Sequence, residues 1–439
     1  MNMVYTNPFD DDDETFNPLD DAGYIDGIAQ EARITELSDD QKKAIDFVRN
    51  FMARSEAKYK VVGGVAGSGK STIIPYIINM VGMPYEESTG MGEVAVCAYT
   101  GKAVMNLKRK GVVTAQTLHS FLYETKVEED EDGKPVMRHY PKPLYWFNTV
   151  KLLIVDEASM VSQEMHKQIM SLPFKTLYIG DHYQLPPVND NFNIMLNPHC
   201  RLETIHRQEK DNPIVQLADM ARHRQPIPLG MFGTSKHTRT LKLDDLPAYD
   251  EVITWTNATK DAVNGIIREK RGFQKDVPQK DDKMIVRVNC REKGVYNGQI
   301  IYLISTPTMN KKGGWNVEFL DELAYKDVFI MAQTDDATTA LASIHLSKEE
   351  MDKIRTFPRY DKKSYKEMKK KYPYEIHLDW GYAITCHAAQ GTSWRNVAVM
   401  LEDRMKAIMK PDDWSRWLYT AITRAEESVT IYSGDFRNL

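Results

Sequence analysis

Cysteine is scarce in this chain. There are four in 439 residues, and Cys97, Cys200, Cys290 and Cys386 stand far apart. That spacing excludes a Cys-x-x-Cys zinc site and suits reduced thiols in a cytosolic compartment. Long apolar runs are missing too. No stretch reaches 18 apolar residues, so the expectation is a cytoplasmic protein with no membrane partner. The N-terminus is acidic and lacks an apolar core segment, which argues against a secretory signal. No short fixed-period repeat is present, which argues against a solenoid. A basic surplus is also absent: 57 Lys and Arg face 62 Asp and Glu, for a net charge of −5. The deficit is local. Residues 1–40 hold twelve acids and one base, Arg33, which leaves the rest of the chain at +6. A mildly basic body is compatible with a polyanionic partner without requiring one.

What is present is a globular composition, 42% hydrophobic and 27% charged, with length for two or more domains. Residues 1–33 combine clustered acid, Pro and Gly with no periodicity, and read as a solvated extension. The alternative is a tail whose Phe9, Phe16 and Tyr24 dock on a basic partner or cover the protein's own nucleic-acid groove. Order is expected to start at LSDDQKKAIDFVRNFM, with Ala44, Phe47, Val48 and Phe51 at helical spacing. After it, apolar strands alternate with helices. YKVV, EVAVCAYTG, KLLIVDE and FKTLYIGD each end in polar residues, the pattern of a doubly wound parallel sheet with its site at the strand C-termini. Between the second and third of these, residues 121–149 alternate in polarity around Asp132-Gly133, a hairpin signal. A second α/β half is expected over 197–271 and 377–439. The intervening 272–376 changes to short strands separated by Asn297-Gly298 and Lys312-Gly313-Gly314, the texture of a small β-barrel insert. Its end, residues 353–371, is basic and aromatic, and reads either as a DNA grip or brace or as a solvated helix face.

The chemistry centres on GGVAGSGKST. Gly64, Gly69, Lys70 and Ser71 fit the phosphate-loop pattern, between a strand and a helix in which Pro75 is tolerable only in the first turn. Glycines let backbone N–H groups turn toward phosphate oxygens, and the helix adds the positive end of its dipole. Lys70 can reach the β- and γ-phosphates, and Ser71 can ligate magnesium. Asp156 and Glu157 close an apolar strand. The first would hold the magnesium ion and the second would orient and deprotonate the attacking water. Gln184, in GDHYQLPPV at a neighbouring strand end, suits a γ-phosphate sensor. Arg207 and Arg424, in the other half, suit cations that reach across a cleft.

At this point a resemblance is specific. DQKKA, GVAGSGKST, AYTGKA, TLHS, VDEAS, GDHYQLPPV, HRQ, ITCHAAQGTSW and LYTAITRA occur in the order of superfamily 1 helicases. The set is most similar to superfamily 1B, the RecD/Dda branch, and within it to the phage Dda members, which would act in host cytoplasm. The resemblance implies two RecA-like domains, 34–120 with 150–196 and 197–271 with 377–439. The first carries the hairpin insert and the second an SH3-like β-barrel. It implies ATP and Mg²⁺ as ligands. Gln41 would read the adenine, and Gly64, Ala66, Gly67, Ser68, Gly69, Lys70, Ser71, Thr72 and Gly391 would line the nucleotide site. Gln184 would link the γ-phosphate to DNA, and Arg207 and Arg424 would be arginine fingers. Thr100, Lys102, Thr117 and His119 from the first domain, and Asn257, Thr385 and His387 from the second, would hold single-stranded DNA. Gln390 lies in the motif bridging the two ligands.

The implied partners are single-stranded and forked or tailed duplex DNA, with the acidic tail suited to a single-strand-binding or replisome protein, and the chain acting as a monomer. The implied activity is 5′-to-3′ translocation with unwinding, in replication, recombination or repair. Polarity comes from the branch resemblance alone. The hairpin is the candidate wedge. Its tip, EEDEDGKP, is acidic, and Tyr140, Tyr145 and Trp146 on the return arm are the aromatic alternatives. An ATP-driven remodeller with weak unwinding and a phosphate-loop kinase stay open as rival readings.

Overall fold

Runs such as VAVCA and LLIVD have no polar face to give to water. In the computed structural model every residue of these two strands is buried, as expected where a parallel sheet is covered on both sides. The structure describes residues 37–129, 135–187, 192–204, 212–275, 277–287, 295, 297–309, 314–322, 342–347, 378–437 and 439. The acidic extension 1–33, Arg207 and the basic-aromatic segment 353–371 lie outside them. The elements from Asp39 to Leu439 belong to one compact unit.

The first half runs α1 (Asp39–Arg54), β1 (Tyr59–Gly64), α2 (Ile74–Val81), β2 (Val94–Ala98), α3 (Gly101–Arg109), β3 (Gln116–Thr117), α4 (Leu118–Leu122), β4 (Tyr123–Glu129), β5 (Pro135–Pro141), β6 (Leu152–Asp156), α5 (Gln163–Met170), β7 (Lys175–Gly180) and β8 (Cys200–Leu202). Its sheet has the order β3-β2-β6-β7-β1-β8 and is parallel throughout. β1, the first strand, lies between β7 and β8, the last two. The order therefore reverses beside β1, and this switch point is where the loop of Gly63 to Thr72 emerges. The loop leads into a 3-10 turn, Lys70–Ile73, before α2. The helix thus starts at Ile74 and places Pro75 in its first turn, where the missing N–H costs nothing. β8 carries a correction. Cys200–Leu202 falls beyond the expected 196 boundary, yet it pairs with Val62–Gly64 in the first sheet.

β4 and β5 pair antiparallel from Tyr123↔Pro141 to Glu129↔Pro135, so the hairpin arms form as expected. The Asp132-Gly133 tip lies outside the described residues.

The second half continues with α6 (Pro213–Arg222), β9 (Gly230–Phe232), β10 (Ser235–Thr238), β11 (Glu251–Thr254) and α7 (Asn257–Lys270). The chain then leaves for β12 (Lys283–Val286), β13 (Ile300–Leu303), β14 (Thr308–Met309), β15 (Gly314–Asp321), β16 (Ala342–Ser347) and β17 (Leu378–Trp380). It returns through β18 (Ala383–Thr385), β19 (Trp394–Glu402), α8 (Met405–Ile408), α9 (Pro411–Ile422) and β20 (Ala425–Gly434). The second main sheet has the order β18-β11-β19-β20-β10-β9, parallel except for the β9–β10 edge pair. The inserted strands form a separate antiparallel sheet. Leu378–Trp380 pairs with β12 in that small sheet, so the second main sheet resumes at Ala383 rather than at 377. The fold is α/β, two doubly wound parallel-sheet halves with a hairpin in the first and a β insert in the second.

Candidate functional site between the two parallel sheets

The loop that opens α2 is shaped by its own side chains. Gly67 and Gly69 adopt φ of 80° and 72°, a region that β-carbons disfavour. A Cβ on Gly69 would also meet the Gln41 amide nitrogen at 2.3 Å. Gln41 is buried, and its Nε2 donates to the Gly69 carbonyl at 3.5 Å. The Ser68 hydroxyl donates to the Val65 carbonyl at 2.8 Å, and the Thr72 N–H to the Gly69 carbonyl at 3.0 Å. Lys70 Nζ donates to the Gly64 and Val65 carbonyls at 2.8 and 2.9 Å and stands 3.9 Å from Asp181 Oδ2. A nucleotide loop and its lysine are therefore assembled on one strand end.

The carboxylates come from the neighbouring strand. Asp156 ends β6, and its Oδ2 accepts from the Ser71 hydroxyl at 3.3 Å. Burial pushes its carboxyl above the ordinary value, against the Glu157 N–H and the charges of Lys110 and Lys70. Glu157 follows at φ 52°, a left-handed conformation for a residue with a Cβ. Its Oε2 is buried without a hydrogen-bond partner among the described residues. Burial first and the adjacent Asp156 second raise the Glu157 carboxyl, while Arg424 and Lys70 pull it back. The donor set fits a magnesium ion. A hydroxyl and a buried carboxylate face each other beside the loop, and a second carboxyl oxygen lacks a partner.

The far half closes over this site. Tyr419 on α9 accepts from the Ala66 N–H at 2.9 Å and donates to Asp181 Oδ2 at 2.8 Å. Thr420 Oγ1 accepts from the Leu185 N–H at 3.1 Å. The Arg416 guanidinium donates to the His182 and Gln184 carbonyls, and Gln390 Nε2 to the Leu185 carbonyl at 3.0 Å. Gln184 is buried, with Nε2 3.5 Å from Asp181 Oδ2 and Oε1 unpartnered among the described residues. Arg424 is buried beside this seam. Its guanidinium donates to the Thr420 and Thr392 carbonyls at 3.0 and 2.8 Å and to Thr423 Oγ1 at 3.1 Å, all within its own half. Gly391, at φ 77°, accepts from Asn106 Nδ2 at 3.1 Å, a further bridge between halves.

The residues expected on DNA lie at the other strand ends. Thr100 and Thr117 follow β2 and end β3, and both cap helices: their hydroxyls accept from Ala103 N–H at 3.2 Å and Ser120 N–H at 3.1 Å. His119 stacks on Tyr123 at 4.5 Å and meets His139 edge-on at 4.7 Å. Thr385 ends β18 in register with Thr254. Burial depresses the His387 pKa. Asn257 opens α7 behind its Thr256 cap. Lys102 has partners in the insert and in the second half. Its ammonium lies 3.7 Å from Glu322 of the insert and 4.6 Å above the Trp394 ring, and burial lowers its pKa to about 8. Tyr419, Asp181, Thr420, Arg416 and Asn106 were missed. They sit inside the quoted motifs or beside them, but their type and spacing carry no signal of a contact across halves.

Two parallel sheets, with a phosphate-loop pattern on one and a helix from the other docked against it, define a two-domain P-loop fold. Comparison with known proteins narrows this. A family model described as an AAA domain matches residues 36–238, and one described as a UvrD-like helicase C-terminal domain matches residues 381–432. The ATP-dependent RecD2 DNA helicase of Deinococcus radiodurans is 30% identical over 211 residues, 46% of this chain and 26% of that protein. The RecD subunit of the RecBCD enzyme of Buchnera aphidicola is 23% identical, over 85% of this chain and 70% of that one. An uncharacterized protein of Methanocaldococcus jannaschii is 23% identical over 84% of this chain. The chain spans 36% of the archaeal protein's length and 26% of the RecD2 helicase's. Among solved structures, Pif1 helicases described in a study of unwinding at forked duplex DNA share the fold, with a TM-score of 0.52 at 16% identity over 90% of this chain and 92% of theirs. By these matches the chain is similar to superfamily 1B helicases of the RecD branch, and its two main sheets have the RecA-like fold. Among the described residues, no helix is long and apolar enough to cross a membrane.

Proposed function

We propose that this chain is an ATP-dependent DNA helicase that translocates 5′-to-3′ on single-stranded DNA and unwinds forked or tailed duplex, in replication, recombination or repair. The narrower likeness to the phage Dda members is part of this proposal, as are action as a monomer and the tail's suitability for a single-strand-binding or replisome partner. The observation that carries the reading is the seam at the nucleotide loop, where Tyr419, Thr420, Arg416 and Gln390 of one half engage Ala66, Asp181, Gln184 and Leu185 of the other. Domains that meet across a phosphate loop can convert nucleotide turnover into relative motion.

In this reading Gln41 reads the adenine and the loop amides cradle the phosphates. Lys70 gives up the Gly64 and Val65 carbonyls for phosphate oxygens. Ser71 and Asp156 would hold a magnesium ion, which when bound neutralises charge on the β- and γ-phosphates. Glu157 Oε2 takes the proton of the attacking water, a task suited to a carboxylate with a raised pKa. Arg424 exchanges its carbonyl partners for the γ-phosphate, and Arg207 serves as the second finger. Gln184, between Asp181 and Arg416, relays the change toward Gln390 and the strand ends of Thr385 and His387. Thr100, Thr117 and His119 in the first half and Asn257, Thr385 and His387 in the second grip the strand in turn.

Forked duplexes carrying a 5′ or a 3′ tail test activity and polarity together. Unwinding from the 5′-tailed substrate is expected, and unwinding only from the 3′ tail would sink the polarity. Lys70→Ala should abolish hydrolysis and keep strand binding. DNA-stimulated hydrolysis that displaces a roadblock protein without unwinding would favour the remodeller, a reading motivated by the acidic hairpin tip.

A further inference from the structure

Tyr419 is 2% exposed and by composition belongs to the core. Its hydroxyl does not. It takes the N–H of Ala66, within the nucleotide loop, and gives its own proton to Asp181 at the end of β7. Asp181 is itself fully buried and also receives the Tyr183 N–H at 3.0 Å. Burial drives the phenol pKa far above its ordinary value, so the hydroxyl stays a donor to Asp181. A small pocket of about 40 Å³ opens beside this point, its wall including Val65, Ala66, Asn212, Arg222 and Tyr419. Five positions after Tyr419 comes Arg424, whose guanidinium is turned into its own half.

An amide N–H is one donor. A phosphate oxygen that took the Ala66 N–H would displace the Tyr419 hydroxyl from it. We infer that Tyr419 is a positioning residue for the nucleotide reaction: it docks α9 on the loop amide that a phosphate must take, so that arrival of the triphosphate frees α9 to re-seat Arg424. This rests on the ATPase reading above. Asp181 is the second anchor of the same hydroxyl, so displacement from Ala66 leaves Tyr419 tethered to the loop that carries Gln184. Loop occupancy is thereby passed to the sensor loop and to the arginine by one side chain.

The consequence has a sign. Tyr419→Phe deletes the Ala66 contact, which is present in the docked arrangement and absent once phosphate holds the amide. The variant should bind a fluorescent non-hydrolysable ATP analogue about 3–10-fold more tightly, the range of one modest hydrogen bond. Its KM for ATP should fall in proportion. Unchanged or weaker analogue binding overturns the inference. Should the variant not fold, 3-fluorotyrosine placed at position 419 of the otherwise unaltered protein gives a second readout. Its ring resonance should shift when the analogue saturates the site, and a static resonance overturns the inference. A parent protein that neither binds nor hydrolyses ATP sinks the ATPase reading itself. A normal parent with an indistinguishable Tyr419→Phe sinks only the role of Tyr419.

Discussion

At the scale of single residues, the site is held in arrangements that cost free energy elsewhere. Glu157 sits at φ 52°, and a left-handed non-glycine residue costs on the order of 1–3 kcal/mol. His182 is another instance. It is 8% exposed and its ring contacts Tyr183 at 4.2 Å. A Cβ on Gly63 would meet its Nδ1 at 2.9 Å. Burial depresses the His182 pKa from 6.5 to about 4, with Asp181 opposing and Arg201, Lys70 and Arg416 assisting. The folded protein therefore refuses a proton that the unfolded chain accepts between these values. Stability is therefore full above pH 6.5 and falls as pH drops toward 4, where the loss amounts to about 3 kcal/mol. Denaturant midpoints at pH 7 and 4.5 should fall further for the parent protein than for His182→Asn. Equal losses would remove His182 from the account. Lys70, Ser71 and Asp156 were legible in the sequence because their types and order leave few alternatives. Tyr419 was not: LYTAI reads as a buried helix face, which it is, and only the direction of one hydroxyl reveals the second task.

Among elements, the hairpin shows how an insert is seated. Phe121, just before β4, and Phe147, six residues after β5, meet at 5.2 Å, and both approach Phe174 within 5.8 Å. All three are buried, so the arms leave and rejoin the first half over one aromatic cluster. Phe147→Ala should cost about 3–5 kcal/mol in urea unfolding, and a loss below about 1 kcal/mol would mean that the cluster does not carry the junction. Tyr145, 67% exposed, lies on the 3-10 turn after the arms rather than on β5 itself, and Trp146 covers Gly90. The long buried strands and capped helices were readable from period and polarity. β8, β9 and β10 were not. Each is three or four residues long, too short for a periodic pattern, and pairing alone defines them.

Across the whole molecule, three sheets meet at one polar junction. Lys102 of the first half faces Glu322 of the insert, whose Oε1 accepts from Trp394 Nε1 of the second half at 3.1 Å. Nearby, the buried pair Lys283–Glu251 at 2.8 Å ties the insert to β11. If Lys102 serves this junction and not the strand, Lys102→Met should leave the salt dependence of single-strand binding unchanged. Loss of a phosphate contact would lower the slope of log K against log salt by about 0.7, and that result would return Lys102 to the DNA. The junction also bears on how the insert is attached. β17 pairs with β12 and ends at Trp380; β18 begins at Ala383. Only Gly381 and Tyr382 lie between. A Cβ on Gly381 would meet the Met284 backbone at 2.9 Å. The Tyr382 and Ala383 N–H groups both go to Asn264 Oδ1 at 3.0 and 2.9 Å, and the Tyr382 hydroxyl donates to Asp282. A link this short and this well clamped has no slack. Mechanically, the small sheet is a lever bolted to the strand that ends at Thr385, and a load applied to either is felt by the other.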